Sequence, residues 1–215
     1  MQLLLATRNK DKLKELRELL KDLPLEVVSA NDVRDLPEVE EDAPTVRDNA
    51  AKKAVEMARV SKMLTLADDT GLEVDELNGA PGVRSARFAG EKATYHENNK
   101  ELLRHLDGVP LDKRTARFRC VVAIADEKGL YECVEGICNG VIIEAERGGC
   151  GFGYDPLFIA DGQTKTFAEI SPDVKNRISH RAKALEKAWA VLSRYLRENG
   201  VGTEPTGLPP RRERT

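Results

Sequence analysis

The stretch Leu3-Leu4-Leu5-Ala6-Thr7-Arg8-Asn9-Lys10-Asp11-Lys12 decides the fold class of this chain. An apolar run opens it, a polar hinge follows, and Leu13, Leu16, Leu19 and Leu20 then recur at the spacing of one helix face. The pattern predicts a strand, a short loop and a helix. A hydroxyl (Thr7), an amide (Asn9) and the ammonium groups of Lys10 and Lys12 gather where the helix begins. The first N–H groups of a helix lack partners within it and carry partial positive charge, so anions settle there. With the lysines added, the loop has the parts of an oligophosphate cradle, although the same residues would also serve as a capped turn with solvated lysines.

Working outward, Leu25-Glu26-Val27-Val28 reads as a second strand near the first. Residues 35–44 are acidic and contain Pro37 and Pro44, which push the preceding residues towards extended backbone and away from helix. Thr45 then caps a helix, with Asp48 where a capping box places its carboxylate; Ala50, Ala51, Ala54, Val55 and Ala58 give it a smooth, small-residue face as far as Ser61. Leu64 to Ala67 predicts a short strand running into Asp68-Asp69-Thr70-Gly71, where Gly71 permits a sharp turn. Two adjacent carboxylates there suit either a metal site or a hydrogen-bonded turn. Side chains alternate along a strand, so only one of the two need face a given pocket.

Asn78 to Gly82 is a turn, and Thr94 with Glu97 forms a second capping box before a helix that buries Leu102, Leu103 and Leu106. His96-Glu97 begins like a zinc-binding HExxH helix, but Lys100 stands in the fifth position and excludes that motif. Arg117–Ala125, Leu130–Val134 and Val141–Ile143 predict three strands, the first two a hairpin turned by Glu127-Lys128-Gly129. The run from Gly148 to Pro156 is too rich in glycine for a strand. It also fails as a dinucleotide fingerprint, because Tyr154 and Asp155 stand where the last glycine is needed, and no GxxxxGK[ST] occurs anywhere. After Lys175, Ser179-His180-Arg181 opens a long helix to about Glu198 that buries Leu185, Ala188, Trp189, Leu192 and Leu196. From Asn199 the chain turns to Gly, Pro, Thr and Arg, too polar to offset its ordering entropy. Residues 1–198 are therefore expected to form a single domain and 199–215 a disordered tail.

The whole composition agrees with a globular protein: 215 residues, 40% hydrophobic and 33% charged. A net charge of −3 speaks against bulk binding to nucleic acid or membrane surfaces. No apolar run approaches the roughly 18 residues of a membrane span. Charges appear from Arg8 onward, unlike a signal peptide, and Cys120, Cys133, Cys138 and Cys150 show neither zinc spacing nor a CxxC pair. Reduced thiols in a cytoplasmic protein are expected.

Four clusters carry chemistry, and their types are complementary. The first loop offers phosphate ligands, and the acidic stretch and Asp68-Asp69 offer hard oxygen donors of the kind Mg²⁺ takes. Phe152 to Asp155, with Lys175 and Ser179-His180-Arg181, offers an aromatic face, backbone donors and basic groups for a base.

Six motifs in this order give the chain a close resemblance to the inosine/xanthosine triphosphate pyrophosphatase family over residues 2–198. They are Thr7-Arg8-Asn9-Lys10-Asp11-Lys12, Asp48-Asn49-Ala50, Ala67 to Leu72, Gly79 to Val83, Gly151 to Pro156, and Ile178 to Arg181. The resemblance implies an α/β fold in which a long mixed central sheet, with helices forming two lobes, surrounds an active-site cleft. It also implies a homodimer and Mg²⁺-dependent hydrolysis of ITP, dITP and XTP to monophosphate and pyrophosphate. Thr7, Arg8, Asn9, Lys10, Asp11 and Lys12 are implied to hold the triphosphate, with Thr70 beside the substrate. Asp69 and Lys12 are implied to be catalytic, and Glu40 and Asp69 to bind Mg²⁺, with Glu41 the alternative ligand in the same acidic stretch. Phe152, Gly153, Tyr154, Asp155, Lys175, His180 and Arg181 are implied to line the nucleotide pocket, the last two reading the base's oxo group. A pyrophosphatase for modified pyrimidines and a non-hydrolysing nucleotide sensor are the competing readings. The second gains little from carboxylates set beside a triphosphate.

Overall fold

A computed structural model describes residues 1–200; from Val201 onward the expected tail lies outside the described residues. The opening apolar run forms β1 (Gln2–Leu5), and the leucine-spaced segment forms α1 (Lys10–Leu20). Asn9 caps α1, its carboxamide oxygen accepting from the N–H groups of Asp11 (2.9 Å) and Lys12 (3.1 Å). β2 (Glu26–Ser29) runs parallel to β1, and the acidic stretch after it stays irregular up to α2 (Val46–Ser61). Thr45 caps α2 through the Asp48 N–H (3.1 Å). β3 (Leu64–Val74) lies parallel to β1 on its other side and also pairs with β4 (Pro81–Gly82). α3 (Tyr95–His105) carries the complete Thr94–Glu97 capping box.

Two long strands follow, β5 (Thr115–Asp126) and β6 (Gly129–Ile142), and then β7 (Phe158–Ala160), α4 (Pro172–Ile178) and α5 (His180–Glu198). The sheet order is β2-β1-β3-β5-β6-β7, parallel among the first three and antiparallel beyond. The mixed sheet agrees with expectation.

Three local readings are corrected. β3 does not stop before Asp68; it passes through Asp68-Asp69-Thr70-Gly71 without turning, paired residue by residue with β5. Gly71 serves close approach rather than a turn, since a Cβ there would lie 2.7 Å from the Gly82 carbonyl oxygen of β4. The strands expected at Leu130–Val134 and Val141–Ile143 are one, β6; β7 and α4 are additional elements.

Strand alternation divides the core. Leu3, Leu5, Leu64 and Leu66 meet Leu13, Leu16 and Leu20 of α1 and Leu185, Ala188 and Leu192 of α5 on one face. Leu4, Ala67, Val121 and Ala123 meet Ala50, Ala54, Met57 and Ala58 of α2 on the other. The far ends of the long strands carry a third cluster, including Leu72, Leu102, Phe118, Phe158 and Phe167. The first two clusters make one lobe and the third makes the other, with β3, β5 and β6 running through both. Among the described residues no helix is long and apolar enough to cross a membrane, and all four cysteines are free.

α5 lies unusually close to β6 because Gly136 has no side chain. A Cβ on Gly136 would collide with the His180 carbonyl oxygen and the Ala184 amide nitrogen, both backbone atoms that cannot swing aside. Gly136→Ala is therefore expected to cost about 3 kcal/mol by overpacking, roughly 6–12 °C in Tm for a chain of this size. Thermal denaturation checks this; an unchanged Tm would mean that α5 is free to shift.

Candidate active site

The cleft between the lobes gathers residues from both ends of the chain. Asn9, the cap of α1, and Lys12 in its first turn line it. Thr7 is buried behind the loop, its Oγ1 accepting from the Asn9 N–H (3.3 Å), whereas Lys10 and Asp11 are exposed and do not line the cleft. Arg8, expected to hold phosphate, points elsewhere: its guanidinium donates to the carbonyls of Leu36 (2.9 Å) and Pro37 (3.2 Å). It braces the acidic stretch instead.

β3 separates the two aspartates by its pleat. Asp68, fully buried, turns to the layer of α1 and α5, where its Oδ2 meets Lys12 Nζ (3.2 Å) and Arg181 Nη2 (3.0 Å) and Nε (3.3 Å). Burial alone would raise the Asp68 carboxyl, but Lys12, Arg181 and Lys53 outweigh it and hold it well below the usual range. Asp69 lines the cleft. Burial lifts its carboxyl above the ordinary value and Glu41 adds to that, while Lys12 offsets only part.

The acidic stretch enters the cleft at Glu41, not Glu40. Glu40 is exposed, while Glu41 lines the cleft. Three tertiary ties set this register. The Asn49 carboxamide oxygen accepts from the Ala43 N–H (2.9 Å), Arg87 Nη2 donates to the Glu41 carbonyl (2.8 Å), and Lys53 pairs with the Glu41 carboxylate. Glu41 and Asp69 thus form a pair of carboxylates whose charges oppose each other across the cleft. A divalent cation would relieve that repulsion. Among the described residues no three His, Cys, Asp or Glu side chains gather into a metal cage. Two carboxylates suit Mg²⁺, which keeps several waters and takes its remaining oxygens from phosphate.

At the other end of the cleft Phe152, Gly153, Tyr154 and Asp155 form a loop held by its own side chains. The Phe152 N–H donates to Asp155 (2.9 Å), Tyr154 Oη donates to the Ser85 carbonyl (2.9 Å), and Asn99 Nδ2 donates to the Gly153 carbonyl (3.2 Å). Lys175 pairs with Asp155 and Glu15 (2.8 Å) and stands 4.9 Å from the centre of the Phe152 ring. His180 is stacked on Phe118, with ring centres 4.5 Å apart and planes 19° apart, and its Nδ1 is buried without a partner. Burial, with Arg181 and Lys175 nearby, holds the imidazole well below its ordinary pKa, so it is neutral. Arg181 also lines the cleft, and Asp68, Glu15 and Thr70 Oγ1 (3.3 Å) take donors of its guanidinium.

Tyr95 and Asn98, which line the cleft, and Glu15, Lys53 and Arg87, which hold lining residues in place, are not singled out by the sequence. Glu15, which joins Lys175 to Arg181, lies three residues beyond Lys12 on the same helix face, so helical spacing was available to find it. Lys53, Arg87, Asn98 and Tyr95 had no such signal.

A cleft with a helix N-terminus and lysine at one end, opposed carboxylates at its centre and a ring-walled basic pocket beyond defines a class. This is a two-lobed, mixed-sheet α/β protein built to receive a polyanion joined to a flat ring. The sequence profile of the Ham1 family matches residues 3–191, and the chain belongs to that family. It is 55% identical over 194 residues to the dITP/XTP pyrophosphatase of Desulforamulus reducens, covering 90% of this chain and 96% of that one. The dITP/XTP pyrophosphatase of Elusimicrobium minutum is 51% identical, with 87% and 97% covered. The solved structure of a HAM1 protein from Coxiella burnetii superposes with a TM-score of 0.82 at 38% identity, over 90% of this chain and 99% of that one.

Proposed function

We propose that the protein hydrolyses the non-standard purine nucleoside triphosphates ITP, dITP and XTP to monophosphate and pyrophosphate. The observation that carries this is one cleft holding Lys12 and the α1 N-terminus, the carboxylates Asp69 and Glu41, and the Phe152–His180 pocket. The names of the relatives at 55% and 51% identity support the substrate class.

In this reading Asn9 and Lys12 bind the phosphate chain, and Lys12, kept charged by Asp68 and Asp69 against its burial, faces the charge that grows on the departing pyrophosphate. Water attacks the α-phosphorus, the bridging P–O bond breaks, and Asp69 takes the water's proton. Its raised carboxyl makes the ionised form a better base than a solvated aspartate. Glu41 and Asp69 are the residues that would hold Mg²⁺, which when bound neutralises phosphate oxygens. His180 offers a buried, neutral ring nitrogen to the base's oxo group; an amino group there would leave that match unmade. Residues 1–198 act as one unit, as a homodimer in the cytoplasm, where free thiols persist.

Pyrophosphate release from ITP, XTP and ATP with Mg²⁺ tests the reading, with an expected preference for the first two of about 100-fold or more. Activity should vanish on chelation. Binding without turnover would favour a sensor, and turnover of modified pyrimidines alone would favour the other enzyme. Glu41→Gln is expected to lower kcat about 100-fold and raise the Mg²⁺ requirement, while Glu40→Gln stays near the parent. The reverse order in a magnesium titration would restore Glu40 as the ligand.

A further inference from the structure

The cavity within the cleft is narrow for a nucleotide. Its volume is about 110 Å³, whereas small-molecule sites usually enclose roughly 300–1,000 Å³. Tyr95, the first residue of α3, stands at its mouth with 41% of its surface exposed. Its ring centre lies 5.9 Å from that of Phe152, with the planes 43° apart. Its hydroxyl accepts from Asn9 Nδ2 (3.2 Å) and donates to Asp11 (3.3 Å), so α3 of one lobe is tied to the phosphate loop of the other.

We infer that Tyr95 is a base-stacking residue, the movable outer wall of the base slot. It rests on the phosphate loop when the slot is empty and stacks on the base, opposite Phe152, when nucleotide enters. The inference rests on the proposed function only in taking a purine as the ligand. A ring held between two others needs wall centres about 7–8 Å apart, twice the contact distance of ~3.5–4.0 Å. The present spacing falls short by an amount that a side-chain rotation supplies. That rotation breaks the two hydroxyl bonds, which are long, partly exposed and readily replaced by water. It also releases the Asn9 amide to the cleft, where a phosphate oxygen can accept from it. Base entry and phosphate capture are thereby coupled through one side chain.

The test uses the full chain and two variants, Tyr95→Phe and Tyr95→Ala. Calorimetry gives Kd for IMP, which carries the base, and for inorganic tripolyphosphate, which does not; thermal melts confirm folding. Tyr95→Ala is expected to weaken IMP about tenfold, as loss of one base–aromatic stack does, and to leave tripolyphosphate unchanged or tighter. Tyr95→Phe keeps the ring and should hold IMP within threefold of the parent. With ITP, Tyr95→Ala should raise KM with little change in kcat, the mark of a contact made equally in ground and transition states. IMP affinity unchanged in Tyr95→Ala overturns the proposal, as does equal weakening of IMP and tripolyphosphate, which would mean that Tyr95 only shapes the α1 loop. No IMP binding by the parent in the millimolar range overturns the slot itself. A parent that binds IMP but does not hydrolyse ITP would sink the pyrophosphatase reading alone.

Discussion

Asp69→Asn is expected to lower kcat for ITP by about 10³-fold or more while the fold stays intact. The amide keeps the size of the carboxylate and can still accept the 2.8 Å bond from the Thr70 N–H. It cannot take a proton from water, a role worth 10²–10⁴-fold in general, and it withdraws one of the two charges available to a metal. The sign of the stability change separates this from damage. Burial and Glu41 hold the Asp69 carboxyl above its ordinary value, so its ionised form opposes folding at neutral pH. Removing that charge should leave Tm unchanged or slightly higher at pH 7. Pyrophosphate release at saturating Mg²⁺, measured beside thermal melts, decides it. Turnover within tenfold of the parent would remove Asp69 from the role of base.

Arg181→Ala should show the opposite signature, losing stability first and activity on every substrate with it. The guanidinium is 1% exposed and neutralises Asp68, which is fully buried, and Glu15, which is largely so. Breaking such a buried network leaves Asp68 with Lys12 alone and Glu15 with Lys175 alone, and costs about 3 kcal/mol, roughly 6–12 °C in Tm. Its pH dependence follows from the shifts. Burial would raise both carboxyls, yet Lys12 and Arg181 hold Asp68 below its ordinary 3.8, and Arg181 and Lys175 hold Glu15 below 4.5. Carboxylates with depressed values stabilise the fold fully above their unfolded pKa and lose that contribution as pH falls through the folded value. The gap between parent and variant should thus be widest near neutrality and begin to close below about pH 4. A variant with parental Tm and a changed ITP-to-ATP preference would return Arg181 to reading the base.

Legibility in the sequence followed the range of each interaction. α2 and α3 are readable with their caps because Thr45 and Thr94 act on N–H groups three residues away. The leucine stripe of α1 and the alanine face of α2 were readable because helical period alone sorts side chains by face. Glycine at position 71 suggests a turn, but its reason is tertiary: Gly71 lies inside a strand because β4 must approach it, as Gly136 does because α5 must.

Only the folded chain decided which polar group does what. Asp68 and Asp69 are neighbours in sequence, yet the pleat of β3 gives one to Lys12 and Arg181 and the other to the cleft. Glu41 displaces Glu40 because Asn49, Lys53 and Arg87 set the register of a loop with no regular structure of its own. Arg8 and Arg181 donate to acceptors 28 and 113 residues away, and Tyr95 reaches Asn9 across 86. Local spacing carries no record of such pairings, because a side chain's donors go to whichever acceptors the packed lobes bring within about 3 Å.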